Sequence, residues 1–251
     1  MPHEPQGLVA QAYQQSRREL RSYLTRIVLR PDVAEELVQQ AAVKLIEAQQ
    51  DDKGAPPDAE GMRAWLFRVG TNLAIDHLRR HSTWRENIML EAREVAERTD
   101  AFLAESSLLR GSAEMSAIAR EHLAVCFACT LRNLPTQQAA ALLLVEVYGF
   151  TVDEAAGILD ASFGQAKNWI QSARGYLNDK YGTTCALITK QGVCHQCVEL
   201  SEFFHGRQDD PLEGTARDVD ARIAILRERR EATLGPWHKL MMRLVDDVLK
   251  G

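Results

Sequence analysis

The chain contains no apolar run approaching the length of a membrane span, and no stretch in which apolar and polar residues alternate. The first lack argues against a helical membrane protein, the second against strands in any number. There is no excess of basic charge either. A formal net charge of -5 argues against a protein that coats nucleic acid indiscriminately, so any contact with DNA has to come from local basic patches. The opening MPHEPQG is polar and lacks the basic-then-apolar order of a secretory signal, which leads us to expect a cytoplasmic protein. Cysteines number only five, and in a reducing compartment thiols or metal ligands are expected before structural disulfides. No convincing catalytic constellation is found, so an enzyme is not expected.

What is present is helix. A chain of 251 residues is long enough for one large domain or two small ones, and helix formers dominate it. An all-α fold is expected. The most informative stretch is Thr151 to Leu177, where Thr151 with Glu154 and Ser162 with Gln165 each place a hydroxyl three residues before a Glu or Gln, the signature of a capping box. Two helix starts one short helix apart, with Asp160-Ala161-Ser162 as the turn, make a helix-turn-helix. Ala155, Ala156, Ile158, Ala166, Ile170 and Ala173 form its buried seam. The second helix of such a motif presents its first residues to base edges in the major groove. On the open face stand Gln165, Lys167, Asn168, Gln171 and Arg174, which can donate to phosphates or bases. An ordinary helical hairpin has the same outline.

Upstream, Leu20, Tyr23, Leu24, Ile27 and Val28 fall on one face of a helix rimmed by arginines. Pro31-Asp32 breaks it. Asp32 followed by Glu35 is read as the cap of a second helix to about Gln49, with Val33, Leu37, Val38, Ala41, Leu45 and Ile46 inward and Glu36, Gln39, Gln40 and Lys44 outward. After a loop at 51–61 comes the most basic segment, with Arg63, Arg68, Arg79, Arg80, Arg85, His77 and His81 among apolar Trp65, Leu66, Val69, Leu73, Ile75 and Leu78. Arginines interleaved with aromatics point towards nucleic acid over a merely solvated face. Acidic residues then prevail in a linker, and a second helical module starts near Arg120.

In this order the segments resemble the extracytoplasmic-function group of bacterial sigma factors. PDVAEELVQQAAVKLIEA is similar to the region-two helix that docks on core RNA polymerase, and MRAWLFRVGTNLAIDHLRR to the segment that melts the -10 element. LRNLPTQQAAALLLVEVYGFTVDEAAGILDASFGQAKNWIQSARGYL is similar to region four, which reads the -35 element. The resemblance implies region two over 8–86, a linker over 87–119, region four over 120–182 and an extension over 183–251, with the two modules held apart by the acidic linker. It implies polymerase docking through Glu35, Glu36, Leu37, Val38, Gln39 and Gln40. Asn72 and Asp76 then hold a flipped base, and Arg79 and Arg80 meet the backbone. Ser162, Gln165, Lys167, Asn168, Gln171 and Arg174 occupy the reading helix. Core RNA polymerase, promoter DNA and an anti-sigma protein are the implied partners. The reading helix departs from the family in having Trp169 and Ser172 where a basic residue is usual, which implies a shallower salt dependence of DNA binding.

Cys126 with Cys129 and Cys194 with Cys197 make two C-x-x-C pairs, suited to a tetrahedral thiolate site for zinc, or less readily for an iron-sulfur cluster. Buried free thiols and a redox pair are the alternatives, although no βαβ pattern supports a thioredoxin-like site. Two amphipathic helices follow. Val219, Ile223 and Leu226 mark one, and Trp237, Leu240, Met241, Leu244, Val245, Val248 and Leu249 the other, and each needs a partner surface. Two further functions stay open at this point: a free-standing helix-turn-helix regulator, which leaves the region-two patterns unexplained, and a metal or thiol enzyme.

Overall fold

The computed structural model describes residues 4–50, 56–81, 88, 91, 115–183, 218–232 and 235–250. Among them there are nine helices and no strand: α1 Glu4–Val28, α2 Pro31–Gln50, α3 Ala59–His81, α4 Met115–Leu131, α5 Thr136–Glu146, α6 Val152–Ile158, α7 Phe163–Thr183, α8 Val219–Glu228 and α9 Pro236–Lys250. The all-α expectation holds. The chain divides into two compact units, one of Met1–Ser82, Leu134–Ser172 and Arg229–Thr233, the other of Thr83–Asn133, Ala173–Glu228 and Leu234–Gly251.

In the first unit α1, α2 and α3 form a three-helix bundle. Leu20, Tyr23, Leu24 and Ile27 of α1 face Leu37, Val38, Ala41 and Leu45 of α2 and Met62, Leu66, Phe67, Ala74 and Leu78 of α3, all buried. Gly70 lets α1 and α3 approach closely, since a Cβ there would lie 3.2 Å from the terminal carbons of both Leu20 and Leu24. Helix α1 ends at Leu29, which takes a left-handed conformation at φ 58° and returns its amide to the Thr25 carbonyl at 2.8 Å. Helix α2 starts at Pro31, two residues before the Val33 that Asp32 as cap would give. Pro31 occupies its first turn, where a residue without an N–H and with a fixed φ is at no disadvantage, and the Ala34 amide reaches the Arg30 carbonyl at 2.9 Å. Ile46, expected inside, is 47% exposed, as is neighbouring Val43 at 53%. In α3 the buried line runs Met62, Leu66, Phe67, Gly70, Thr71, Ala74 and Leu78. Of the apolar positions read from the sequence, Leu66 and Leu78 are buried, whereas Trp65, Val69, Leu73 and Ile75 are only half-buried.

The same unit contains α5, α6 and the start of α7. Tyr148 and Phe150, which follow α5, are buried in an aromatic group with Tyr23 and Phe67, with ring centroids 5.0 to 5.7 Å apart. Region two and the middle of region four thus share aromatic contacts within this unit. Burial of these rings joins α1 and α3 to the corner after α5, at an energy that no solvated linker opposes strongly.

The second unit packs α8 and α9 on α4. Leu123, Phe127, Leu131, Leu177, Tyr181, Ile223, Leu226, Met242 and Val245 are among its buried apolar residues. Of the two placements expected for the tail helices, mutual pairing or packing on a sigma module, the second is observed. Arg222 is fully buried, with its guanidinium 3.8 Å from the centre of the Tyr181 ring, an arrangement that replaces lost hydration with the ring quadrupole.

Candidate nucleic-acid interface

Helix α3 is anchored through its inner line, which fixes what its outer line presents. Trp65, Arg68, Val69, Asn72, Asp76 and Arg79 follow at spacings of three and four and so share the face opposite the core. Asn72, Arg68, Arg79 and Arg80 are exposed. Asp76 accepts from Arg79 Nη2 at 2.9 Å through its side chain and from Arg80 Nε at 3.1 Å through its carbonyl, so both arginines are ordered on the last turn. His77 and His81 stack at 4.7 Å beside them. The result is a half-buried indole, an amide and a carboxylate in a row, ending in guanidinium groups. That set suits an unstacked base with its adjoining phosphates.

The helix-turn-helix is built as its sequence implies. The Thr151 hydroxyl accepts from the Glu154 amide at 3.2 Å while the Glu154 carboxylate accepts from the Thr151 amide at 2.6 Å, completing the capping box of α6. The helix closes at Leu159. Asp160 then turns left-handed at φ 51°, and the Ala161 amide bonds back to the Ala156 carbonyl at 2.9 Å, the closing bond of a Schellman turn. The Ser162 hydroxyl caps α7 by accepting from the Gln165 amide at 3.2 Å. Ala166 and Ile170 are buried, which turns Ser162, Gln165, Lys167, Asn168 and Gln171 outward, all exposed.

Two arginines assigned to DNA stand differently. Arg63 is half-buried, donating to the Tyr148 carbonyl at 2.8 Å and pairing with Glu19 at 3.1 Å, its guanidinium 4.0 Å from the centre of the Phe150 ring. Arg174 is half-buried and paired with Asp220 at 2.5 Å. Arg85 lies outside the described residues. Sequence periodicity could not reveal either pairing, because Glu19 and Asp220 are far away along the chain.

The family model of sigma-70 region 2 matches residues 12–83, and that of sigma-70 region 4 matches residues 124–177. The chain is a sigma factor of the extracytoplasmic-function type. No curated protein matches it. The two regions together give the sigma factor a role in transcription initiation and imply core RNA polymerase and promoter DNA as its partners. Among the described residues no helix is long and apolar enough to cross a membrane.

On α2 of the sigma factor, the six residues assigned to polymerase docking divide by burial. Leu37 and Val38 are in the bundle core, at 5% and 0% exposure. Glu35 is half-buried and tied to α1 by Arg17 at 2.5 Å and Arg21 at 2.8 Å, and the Arg17 hydrogen bond, opposed by partial burial, holds its carboxyl below the ordinary range. Glu36, Gln39 and Gln40 face outward in line with exposed Val43. Val43 and Ile46 are surface apolar residues that sequence reasoning missed: Ile46 was expected inside on its hydrophobicity, and Val43 was assigned to neither face.

Cys126 and Cys129 lie one turn apart on α4, half-buried and buried respectively. Arg222 Nη1 approaches Cys126 Sγ at 3.6 Å, and burial pushes the Arg132 guanidinium below its ordinary value, opposed by the neighbouring Cys129. Cys194 and Cys197 lie outside the described residues. Among the described residues no group of three or more His, Cys, Asp or Glu side chains is gathered to hold a metal.

Proposed function

We propose that this sigma factor directs core RNA polymerase to promoters with two elements, opening the -10 element with the outer face of α3 and reading the -35 element with the first turns of α7. The observation that carries the reading is the outer row of α3, where Trp65, Asn72 and Asp76 stand exposed or half-exposed next to Arg79 and Arg80. Unstacking a base costs a few kcal/mol per step, and an aromatic surface with polar groups at its edge returns that energy to a single strand and not to a duplex. Trp65 supplies the stacking surface, Asn72 and Asp76 the polar edge, and the two arginines the backbone contacts. Glu36, Gln39, Gln40 and Val43 provide the polymerase-facing side of α2. An anti-sigma protein is a further partner, binding where polymerase or DNA would, and the site of action is the cytoplasm.

Run-off transcription with purified core enzyme over genomic fragments tests this. The expected result is a set of transcripts that appear only when the protein is added. Duplex binding with no new transcripts would favour the free-standing regulator and sink this reading.

The cysteines carry a second proposal. Cys126 and Cys129, with Cys194 and Cys197, bind zinc and regulate the factor. The fit of the described pair is conditional, since a guanidinium stands 3.6 Å from Cys126 and a dication bound there has to displace it. Zinc then supplies a cross-link between α4 and the extension, and no chemistry. Elemental analysis after expression in metal-replete medium should find about one zinc per chain; finding neither zinc nor iron removes the proposal.

A further inference from the structure

Four large apolar side chains are exposed among the described residues, and three of them, Leu8, Val43 and Ile46, are on α1 and α2. The fourth is Phe163, the first residue of α7, at 50% exposure. Spacing alone would bury it, because Phe163, Ala166 and Ile170 follow at intervals of three and four and the last two are buried. It escapes because the first turn stands clear of the packed part of the motif: Ser162, Phe163, Gly164 and Gln165 are all exposed. Helical side chains lean towards the N-terminus, so the ring covers the tip of the reading helix, the end whose residues meet base edges in a major groove. Gly164 beside it has no side chain to shield it, and a Cβ there would meet nothing within 4 Å.

A ring at that place has few targets on a duplex. Phosphates are charged and stacked bases hide their faces, which leaves the thymine C5-methyl as the apolar group in the major groove. The polar residues of the same turns point to the same base pair. Gln165, Lys167, Asn168 and Gln171 are exposed, three amides to one cation, and a side-chain amide pairs in bidentate fashion with adenine where arginine or lysine pairs with guanine. No arginine stands on α7 before Arg174, which is held by Asp220. Given the -35 reading by α7 proposed above, on which this rests, we propose that Phe163 is a specificity-determining residue: it packs on a thymine methyl while Asn168 takes an adenine, so that the -35 element is chosen through A·T pairs. Five residues of helix rise ~7.5 Å, so the thymine and the adenine lie within about two base pairs of one another.

The test uses the full chain assembled with core polymerase and a pool of random-sequence duplexes of promoter length. The enriched upstream element is expected to hold a fixed thymine, with a fixed adenine within about two base pairs of it on either strand. Replacing that thymine by deoxyuridine deletes only the methyl, and should weaken the wild-type complex about three- to fivefold. This arm needs no protein variant. Phe163→Ala should lose a similar factor on the thymine duplex and nothing more on the deoxyuridine one, while Phe163→Leu, still apolar, should keep the discrimination. Circular dichroism should be unchanged in both, since the ring is half-exposed. An upstream element with no fixed thymine, deoxyuridine tolerated at every thymine, or discrimination undiminished in Phe163→Ala overturns the role of Phe163 and leaves the -35 reading standing. Enrichment of no upstream sequence, or an enrichment that Asn168→Ala and Lys167→Ala both leave unmoved, overturns that reading and the role of Phe163 together.

Discussion

Replacing Thr71 by Val should destabilise region two more than the loss of one hydroxyl suggests, and replacing Tyr23 by Phe as well should restore most of the loss. Thr71 donates to the Phe67 carbonyl at 2.6 Å, so its oxygen is left to accept from the Tyr23 hydroxyl at 2.8 Å. Both side chains are 0% exposed, and burial pushes the Tyr23 phenol well above its ordinary value, keeping it a neutral donor at any working pH. Valine matches threonine in shape and in β-branching, so helix propensity and packing change little. What changes is that a fully buried phenol loses its acceptor, which costs about 1–3 kcal/mol. Tyr23→Phe alone removes the donor and leaves Thr71 bonded to Phe67, at about 0.5–1.5 kcal/mol. With both partners apolar no group is stranded, and the double variant should be no worse than Tyr23→Phe within about 0.5 kcal/mol. Amide exchange of α1 and α3 peptides reads the opening free energy locally, so the second unit does not confuse the measurement. Additive losses in the double variant would refute this account of the bundle core.

Three other outcomes follow from named contacts. Glu35 has a depressed folded pKa, so its pairing with Arg17 and Arg21 stabilises the bundle above the unfolded carboxyl value and is lost as pH falls through the folded one. Glu35→Gln should therefore cost about 0.5–1 kcal/mol at neutral pH and nothing in strong acid, as read by denaturant midpoints across pH; a gap that persists in acid means the ion pair is not its origin. Asp160→Gly should raise the melting temperature, since the left-handed φ of 51° costs an L-residue about 1–2 kcal/mol and the added chain entropy of glycine returns less than that, about 0.5–1 kcal/mol; an unchanged or lower melting point refutes it. Asn72→Ala should slow strand opening about tenfold with -35 duplex affinity intact, whereas Asn168→Ala should weaken that affinity by about 1–3 kcal/mol and leave opening of a pre-melted template alone. Equal effects of the two variants on both assays would mean that α3 and α7 do not divide the work.

The local rules were readable wherever local chemistry decides. The capping hydroxyls of Thr151 and Ser162, the turn at Asp160 and the seam of Ala155, Ala156, Ile158, Ala166, Ile170 and Ala173 all depend on neighbours within a few residues, and each stands where the sequence put it. Burial around α2 and α3 was less legible. Trp65, Val69 and Ile46 look like core by composition, but a helix in a three-helix bundle has one inner line, and Gly70 and Thr71 fill part of it because close approach and a hydroxyl pair are what that crossing needs. Least legible was the joining of α5 and α6 to α1 and α3. Tyr148 and Phe150 read as the corner between two helices inside region four, and nothing near them in sequence names Tyr23, Arg26 or Phe67 as partners.

The same long-range pairings bear on how an acidic chain binds DNA at all. With a net charge of -5 and Arg63 and Arg174 already facing carboxylates, the free protein has few phosphate contacts to offer, and each contact forgone removes about 0.9 from the slope of log affinity against log salt. Freed from Glu19 and Asp220, the two arginines would restore that slope by nearly two. The salt dependence of promoter binding should thus be steeper for the complex with polymerase than for the sigma factor alone by more than the polymerase's own contacts explain, and Glu19→Gln with Asp220→Asn should steepen it for the sigma factor alone. A slope unmoved by those two neutralisations would show that the arginines meet no phosphate in either state, and would leave Lys167, Arg79 and Arg80 as the only cations among the assigned residues of α3 and α7 to carry the backbone.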